Sequence, residues 1–298
     1  MSRPGRDTTA GRVYLDLQAR AREEGRPTGE LLVLYVHERF LFRVGRSSHR
    51  SRLILKGGML LAALEERRPT RDVDLLAQAI DNDIDAVSDL VRDVLAVTVD
   101  DGVEYDVGRM QAKTIRDIDP YPGVRIVVPA SIHRAREVLR VDVNIGDPVT
   151  PAPVELAYPS LLGEPFTLLG YPIETVLAEK IVTMIDRGDA TTRERDFADV
   201  VTLIRRHEIG AQRLRAAIDA TAEHRESILR PLREILVTLG DERQSDWTRY
   251  VAGAGLVDLV PQSFAEAIDA VADFADPILT GAIGDATWTP SARRWLAP

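Results

Sequence analysis

Apolar residues recur at helical spacing over residues 8 to 45, as Leu15 and Leu17 and then Leu31, Leu32, Leu34, Val36, Phe40 and Leu41, with Pro27 and Gly29 separating two pieces. This predicts a leading helical layer. From 52 to 145 the texture changes to mixed α/β. RLILK, RDVDLLA, VGRMQAKTIR, GVRIVVPA and EVLRVDVNIG read as strands, and residues 84 to 95 form the clearest helix. The stretch GDPVTPAPVELAYPSLLGEPF is rich in proline and predicts an irregular crossing between lobes. Beyond about residue 170 the chain reads as helices to its end, with loops near Gly240 and Gly284. The expected fold class is α/β (α+β). Residues 1–150 make an N-terminal lobe of leading helices and sheet, and 151–298 a mainly helical C-terminal lobe.

Alternation within the strands points to chemistry. Side chains two apart on a strand leave the same face, so Asp72 and Asp74 of RDVDLLA project side by side while Val73 and Leu75 turn to the core. Adjacent carboxylates repel, and they persist most naturally around a divalent cation. Upstream, Gly57 and Gly58 let the backbone approach a ligand closely, and the first N–H groups of the helix that follows suit phosphate. A nucleoside triphosphate with magnesium fits both halves. In EVLRVDVNIG, Leu139, Val141, Val143 and Ile145 take one face, leaving Arg140, Asp142 and Asn144 on the other. If that strand lies beside the first acidic one, Asp142 becomes a third carboxylate, which is what two-metal phosphoryl or nucleotidyl transfer requires.

Composition narrows the class. A chain of 298 residues with 45% hydrophobic content can bury a large core, and the absence of cysteine removes disulfides, thiolate zinc sites and cysteine nucleophiles. The polar start MSRPGRDTTAGR has no secretory apolar core, and LLVLYV is too short to span a bilayer, so a cytoplasmic location away from membranes is expected. The net charge of −9 argues against a protein that coats nucleic acid, although Arg43, Arg46, Arg50 and Arg52, or Arg213 and Arg215, make either a local basic face or a solvated helix surface.

Two helical residues extend the picture. In PIETVLAEKIVTMIDRG the apolar stripe Ile173, Val176, Leu177, Ile181, Met184 and Ile185 puts Lys180 at its edge, where it either snorkels or meets an anion. The next helix reads as starting at Thr191, with a capping-box spacing to Glu194, and carries Asp196 beside Phe197, Val200, Val201 and Ile204. Lys180 and Asp196 can meet across the hairpin.

Residues 50 to 205 resemble the AbiEii/AbiGii-type nucleotidyltransferase toxins, including the MenT group, within the DNA polymerase β-like nucleotidyltransferase superfamily. The resemblance rests on LKGG with its apolar helix, TRDVD, DGVEYDVGRMQAKTIRDIDPYPGVRI, RVDVNIGDPVTP, ETVLAEK and RERDFADV. It implies a polymerase-β-like core with a mixed sheet, Mg²⁺ or Mn²⁺, an NTP substrate, the tRNA 3′ acceptor end as target with translation blocked, and a cognate antitoxin. Residue by residue, it implies that Gly57 and Gly58 form the phosphate loop, with Lys56 and Thr70 in the nucleotide-binding set. It places Asp72 and Asp74 as the catalytic metal pair and Asp142 at the third acidic position. Lys180 becomes the triphosphate lysine and Asp196 the later catalytic acid. Where many relatives have Gly-Ser, this chain has Gly58-Met59, so backbone N–H groups or Lys56 must replace a serine hydroxyl.

The expected activity is thus a nucleotidyltransferase of EC 2.7.7 type, with Asp142 serving the acceptor hydroxyl and Lys180 the leaving pyrophosphate. Nucleotidylation or phosphorylation of a protein acceptor uses the same site. A glycosyltransferase also holds a nucleotide through an acidic pair, and an idle binding module would keep the aspartates only for the fold.

Overall fold

The computed structural model describes residues 5–64, 70–81, 83–115 and 123–297. The chain divides into two compact units, one of residues 1–146 with 154–170, the other of 147–153 with 171–298.

In the first unit, α1 (Thr9–Glu23) starts at Thr8, whose side chain accepts the Gly11 N–H, and α2 (Thr28–Arg46) starts after Pro27, whose fixed φ suits a helix entry. Then come β1 (Leu53–Lys56), α3 (Gly57–Ala63), β2 (Val73–Ala77) and α4 (Ile84–Leu95), the last capped by Asp83. They are followed by β3 (Val103–Tyr105), β4 (Gln111–Ile115), β5 (Gly123–Ile132), β6 (Ala135–Ile145), β7 (Val154–Tyr158) and β8 (Phe166–Gly170). The strands form one mixed sheet in the order β3-β5-β6-β2-β1-β8-β7, with β4 also on β5. β2 runs parallel to β6 and β1 parallel to β8, and the other pairs are antiparallel. Val73, Leu75, Val141, Val143, Val124 and Ile126 are buried as alternation requires, and α2 packs across β6 and β8 with α1 and α4 beside it.

The α/β reading of this region holds, with differences in detail. VGRMQAKTIR is a 3₁₀ turn, Val107–Arg109, followed by β4, and its Arg116 lies outside the described residues, as do 117–122 of the longer quoted run. The proline-rich stretch contains β7, and β8 begins at its last residue, so both join the first sheet. The prolines flank these strands rather than interrupt them, and β7 is an edge strand that needs donors on one side only. Arg43 contributes to no basic face. It is buried and donates to Asp101 at 2.6 Å, while its guanidinium lies over the Tyr105 ring at 5.1 Å. Beside it the buried Glu38 accepts from Arg39, from Ser160 and from the Leu161 N–H, which fastens α2 to the chain just after β7.

The second unit holds α5 (Ile173–Arg187), α6 (Glu194–Arg206), β9 (Ile209–Gly210), α7 (Ala211–Arg225), α8 (Leu232–Ile235), α9 (Leu239–Glu242), α10 (Gln244–Ala254), α11 (Phe264–Leu279), β10 (Thr287–Thr289) and β11 (Arg294–Leu296). It is mainly helical as expected, with a small sheet, β11-β10-β9, whose strands of two or three residues are too short to show alternation. Its tryptophans are core anchors. Trp247 stacks on Phe264 at 4.8 Å, and each indole N–H meets a carbonyl, Trp247 on Pro261, Trp288 on Ile204 and Trp295 on Phe274. Gly240, read as a loop position, falls inside α9. α6 begins at Glu194 rather than Thr191, whose hydroxyl accepts the Arg193 N–H in a local turn just before the helix.

Removing one partner of a buried ion pair leaves an uncompensated charge, whereas removing both does not. Asp101→Ala is therefore expected to lower stability by about 3–5 kcal/mol. The double variant Arg43→Met/Asp101→Leu should recover a clear part of the loss in chemical denaturation. Equal losses in both would show that the pair contributes nothing specific.

Candidate active site

The sheet order sets β1, β2, β6 and β5 side by side, and their registers place Lys56 opposite Asp74, Asp74 opposite Asp142, and Asp142 opposite Arg125. Four charged residues thus form one row across four strands, positive at both ends and negative in the middle. Asp72, two residues before Asp74, joins from the same face. Carboxylate oxygens of Asp72, Asp74 and Asp142 all lie within 4.8 Å of one another.

Each carboxylate has its own support. Arg125 grips Asp142 through two parallel bonds, Nε to Oδ1 at 2.7 Å and Nη2 to Oδ2 at 2.5 Å. The hydrogen bonds it donates to Asp142 are the main reason that the Arg125 guanidinium is driven further toward its charged form, with burial opposing it. Thr70 Oγ1 lies 3.3 Å from Asp72 Oδ1 and 3.4 Å from the Asp72 carbonyl. Behind Asp72, on α2, His37 is fully buried and its Nε2 accepts the Arg140 N–H at 3.3 Å, a strand donor lying beyond the paired segment of β2. Burial pushes the His37 imidazole down to about 4, against the opposing pull of the Val33 carbonyl and the Asp72 charge.

Gly57 has a specific geometric reason. Its φ of +66° is disfavoured for other residues, and a Cβ there would collide with the Asp74 carboxylate. The glycine admits the acid. Gly58 is buried within α3, a helix of seven residues, and Lys56 immediately before it is buried as well.

In the second unit, Lys180 of α5 donates to Asp196 at 2.9 Å and to Asp199 at 2.6 Å, both carried by α6. The pairing expected across the hairpin is present. Asp199 was missed, and its spacing of three from Asp196 on one helix was the available signal. Arg193 adds a second cation, 2.8 Å from Asp196. Burial alone would raise the Asp196 carboxyl, but Lys180 and then Arg193 overcome it and bring it to about 2.

Lys56, Gly57, Gly58, Thr70, Asp72, Asp74 and Asp142 therefore belong to the first unit, and Lys180 and Asp196 to the second. Arg125 was also missed. Its register follows from counting back along the β5–β6 hairpin from Ile132 opposite Ala135, but the turn at His133 and Arg134 has none of the Asn-Gly or Asp-Gly signature that reveals such a hairpin.

The family described as nucleotidyl transferase AbiEii toxin, type IV TA system, matches residues 39–273, a span that takes in the acidic row and the Lys180 cluster. The chain belongs to this family. Among solved structures, the AbiEii chain is similar to JHP933 from Helicobacter pylori at 12% identity, with 83% of this chain and 93% of that one covered and a TM-score of 0.49. It is similar also to a candidate nucleotidyltransferase from H. pylori at 12% identity, covering 85% and 98%, again with a TM-score of 0.49. No curated protein matches the sequence. Among the described residues no helix is long and apolar enough to cross a membrane.

Two stability predictions follow from these groups. His37 is held neutral, with a folded value of about 4 below its ordinary 6.5. The unfolded chain then binds more protons between those values, so stability falls as pH drops from about 6.5 to about 4, by up to about 3 kcal/mol. His37→Gln keeps an acceptor without titrating, and its melting temperature should change less across that window than the parent's. An identical pH profile would remove His37 as the cause.

Lys180→Met should cost about 3–5 kcal/mol, since it withdraws a shared cation from two buried carboxylates. Adding Asp199→Asn should restore part of that loss in thermal unfolding. A single variant as stable as the parent would show that the carboxylates do not depend on Lys180.

Proposed function

We propose that this AbiEii-family protein transfers a nucleoside monophosphate from an NTP to the 3′ acceptor end of tRNA, with Mg²⁺ or Mn²⁺ as cofactor, and so blocks translation until a cognate antitoxin intervenes. The observation that carries the chemistry is the convergence of Asp72, Asp74 and Asp142 within 4.8 Å. Family membership supports the nucleotidyl class over a nucleotide-sugar glycosyltransferase and implies the antitoxin. The tRNA end comes from the resemblance, and a cytoplasmic site of action from the cysteine-free composition of the chain.

The three carboxylates offer hard oxygen donors, the ligand type that Mg²⁺ and Mn²⁺ take, and their close packing suits a cation. Asp72, Asp74 and Asp142 would hold it. When bound, a divalent ion supplies Lewis acidity toward phosphate oxygens and favours ionisation of an acceptor hydroxyl. The residues around it have separable tasks. Gly57 leaves room for Asp74 to reach the cluster, Thr70 orients Asp72, and Lys56 places positive charge at the end of the row. Backbone N–H groups at Gly57 and Gly58 take phosphate oxygens in place of the absent serine. In the transfer a bond forms between the acceptor oxygen and the α-phosphorus, the α–β bridging bond breaks, and pyrophosphate departs with the electron pair. Lys180 and Asp196 are assigned by the resemblance to triphosphate contact and to catalysis.

The test is incubation of the protein with total RNA and each α-labelled NTP in turn. Label is expected on the 3′ end of tRNA, with the product refractory to aminoacylation. Asp72→Asn and Asp74→Asn should each abolish labelling while the fold is retained, because relief of like-charge repulsion offsets the lost ligand. Full transfer in either variant would sink the mechanism, and label confined to protein would reject the RNA acceptor.

A further inference from the structure

The Arg125 fork is only partly used. A guanidinium has five N–H donors, and Asp142 takes two of them, Nε and one on Nη2. The remaining three donate to no described residue, and a third of the side chain is exposed. The Asp142 grip also fixes the plane of the fork, so little rotamer freedom is left to lose when another anion arrives.

Charge in the row makes an anion the natural second partner. Lys56, Asp74, Asp142 and Arg125 sum to zero, and Asp72 leaves the group at −1. A bound dication would turn that to +1. The same assembly therefore changes from weakly cation-attracting to anion-attracting, and Arg125 is the partly exposed cation at its rim.

We propose that Arg125 is a phosphate ligand of the transfer site, held in place by Asp142 and contacting the polyphosphate of the nucleotide through its unused N–H donors. The assignment rests on the nucleotidyltransferase reading of the acidic cluster. It requires a fork, since one face must stay on Asp142 while another meets phosphate. A lysine at this position can supply charge but cannot make both contacts in one plane.

The experiment is calorimetric titration of Mn²⁺ into the full chain, then of inorganic tripolyphosphate into the Mn²⁺-loaded protein, with melting curves to confirm folding. Arg125→Gln should bind Mn²⁺ at least as tightly as the parent, because a neighbouring positive charge has gone. It should bind tripolyphosphate about tenfold more weakly or worse, the scale of one lost charge-assisted contact. Arg125→Lys should fall between the two, and carries the test if the glutamine variant fails to fold. Parent-like tripolyphosphate binding in both variants would overturn the proposal. So would loss of Mn²⁺ binding in Arg125→Gln as deep as that in Asp142→Asn, since Arg125 would then serve only to hold the acid. Asp74→Asn that still binds Mn²⁺ like the parent would instead overturn the reading of the acidic cluster itself, whatever the arginine variants do.

Discussion

Repulsion among Asp72, Asp74 and Asp142 is the constraint around which the first unit is built. Three carboxylates within 4.8 Å cannot be left to solvent alone at the half-buried end of a sheet, and the strand order answers this with Lys56 on one side and Arg125 on the other. The cost of the arrangement is borne locally, by a glycine with positive φ under Asp74 and by a neutral histidine buried behind Asp72. Such conflicts with local preference are expected where function, rather than folding, selects the residue.

The same solution recurs in both units. Glu38 with Arg39, Arg43 with Asp101, and Lys180 with Asp196 and Asp199 are buried charges paired directly with one another. Buried ion pairs add little net stability, because desolvation consumes most of the Coulomb gain, but they penalise any arrangement that separates the partners. In the first unit they bind α2 to chain segments far away in sequence. In the second they fix the α5–α6 hairpin by one ammonium. The assemblies differ in exposure, since Arg125 is a third exposed whereas Arg39 and Arg43 are buried.

Much of this was legible in the chain. The helical layer, the acidic strand, its partner Asp142 and the Lys180–Asp196 hairpin all follow from periods of 3.6 and 2. What escaped was whatever depends on pairing between distant strands. Arg125 looks like any polar residue of an alternating strand until β5 is laid against β6. His37 looks like a helix residue among apolar neighbours until the Arg140 N–H needs an acceptor. The strands β7 and β8 were hidden by proline, whose message concerns the flanks of a strand as much as its interior. Arg43 was hidden by its class, since arginines are usually exposed and only its pairing with Asp101 reveals burial.

Register is what turns these pairings into a site. β2 and β6 are parallel and joined through a long crossover containing α4 and β3 to β5, so no short turn aligns Asp74 with Asp142. A slip of one residue is prevented because it would turn out the apolar set of whichever strand shifts, Val73 with Leu75 or Val141 with Val143. A slip of two keeps the apolar face and would set Asp74 against Arg140 or Asn144, so burial alone does not forbid it. Neighbouring strands place the flanking cations. The hairpin turn fixes β5 on β6 and hence Arg125 on Asp142, while β1 fixes Lys56 on Asp74. Only when Asp74 and Asp142 adjoin are the two outer cations placed symmetrically about the two central acids. Like charges set opposite each other are destabilising, so Lys56 and Arg125 offset, within the observed register, the repulsion that bringing Asp74 beside Asp142 creates.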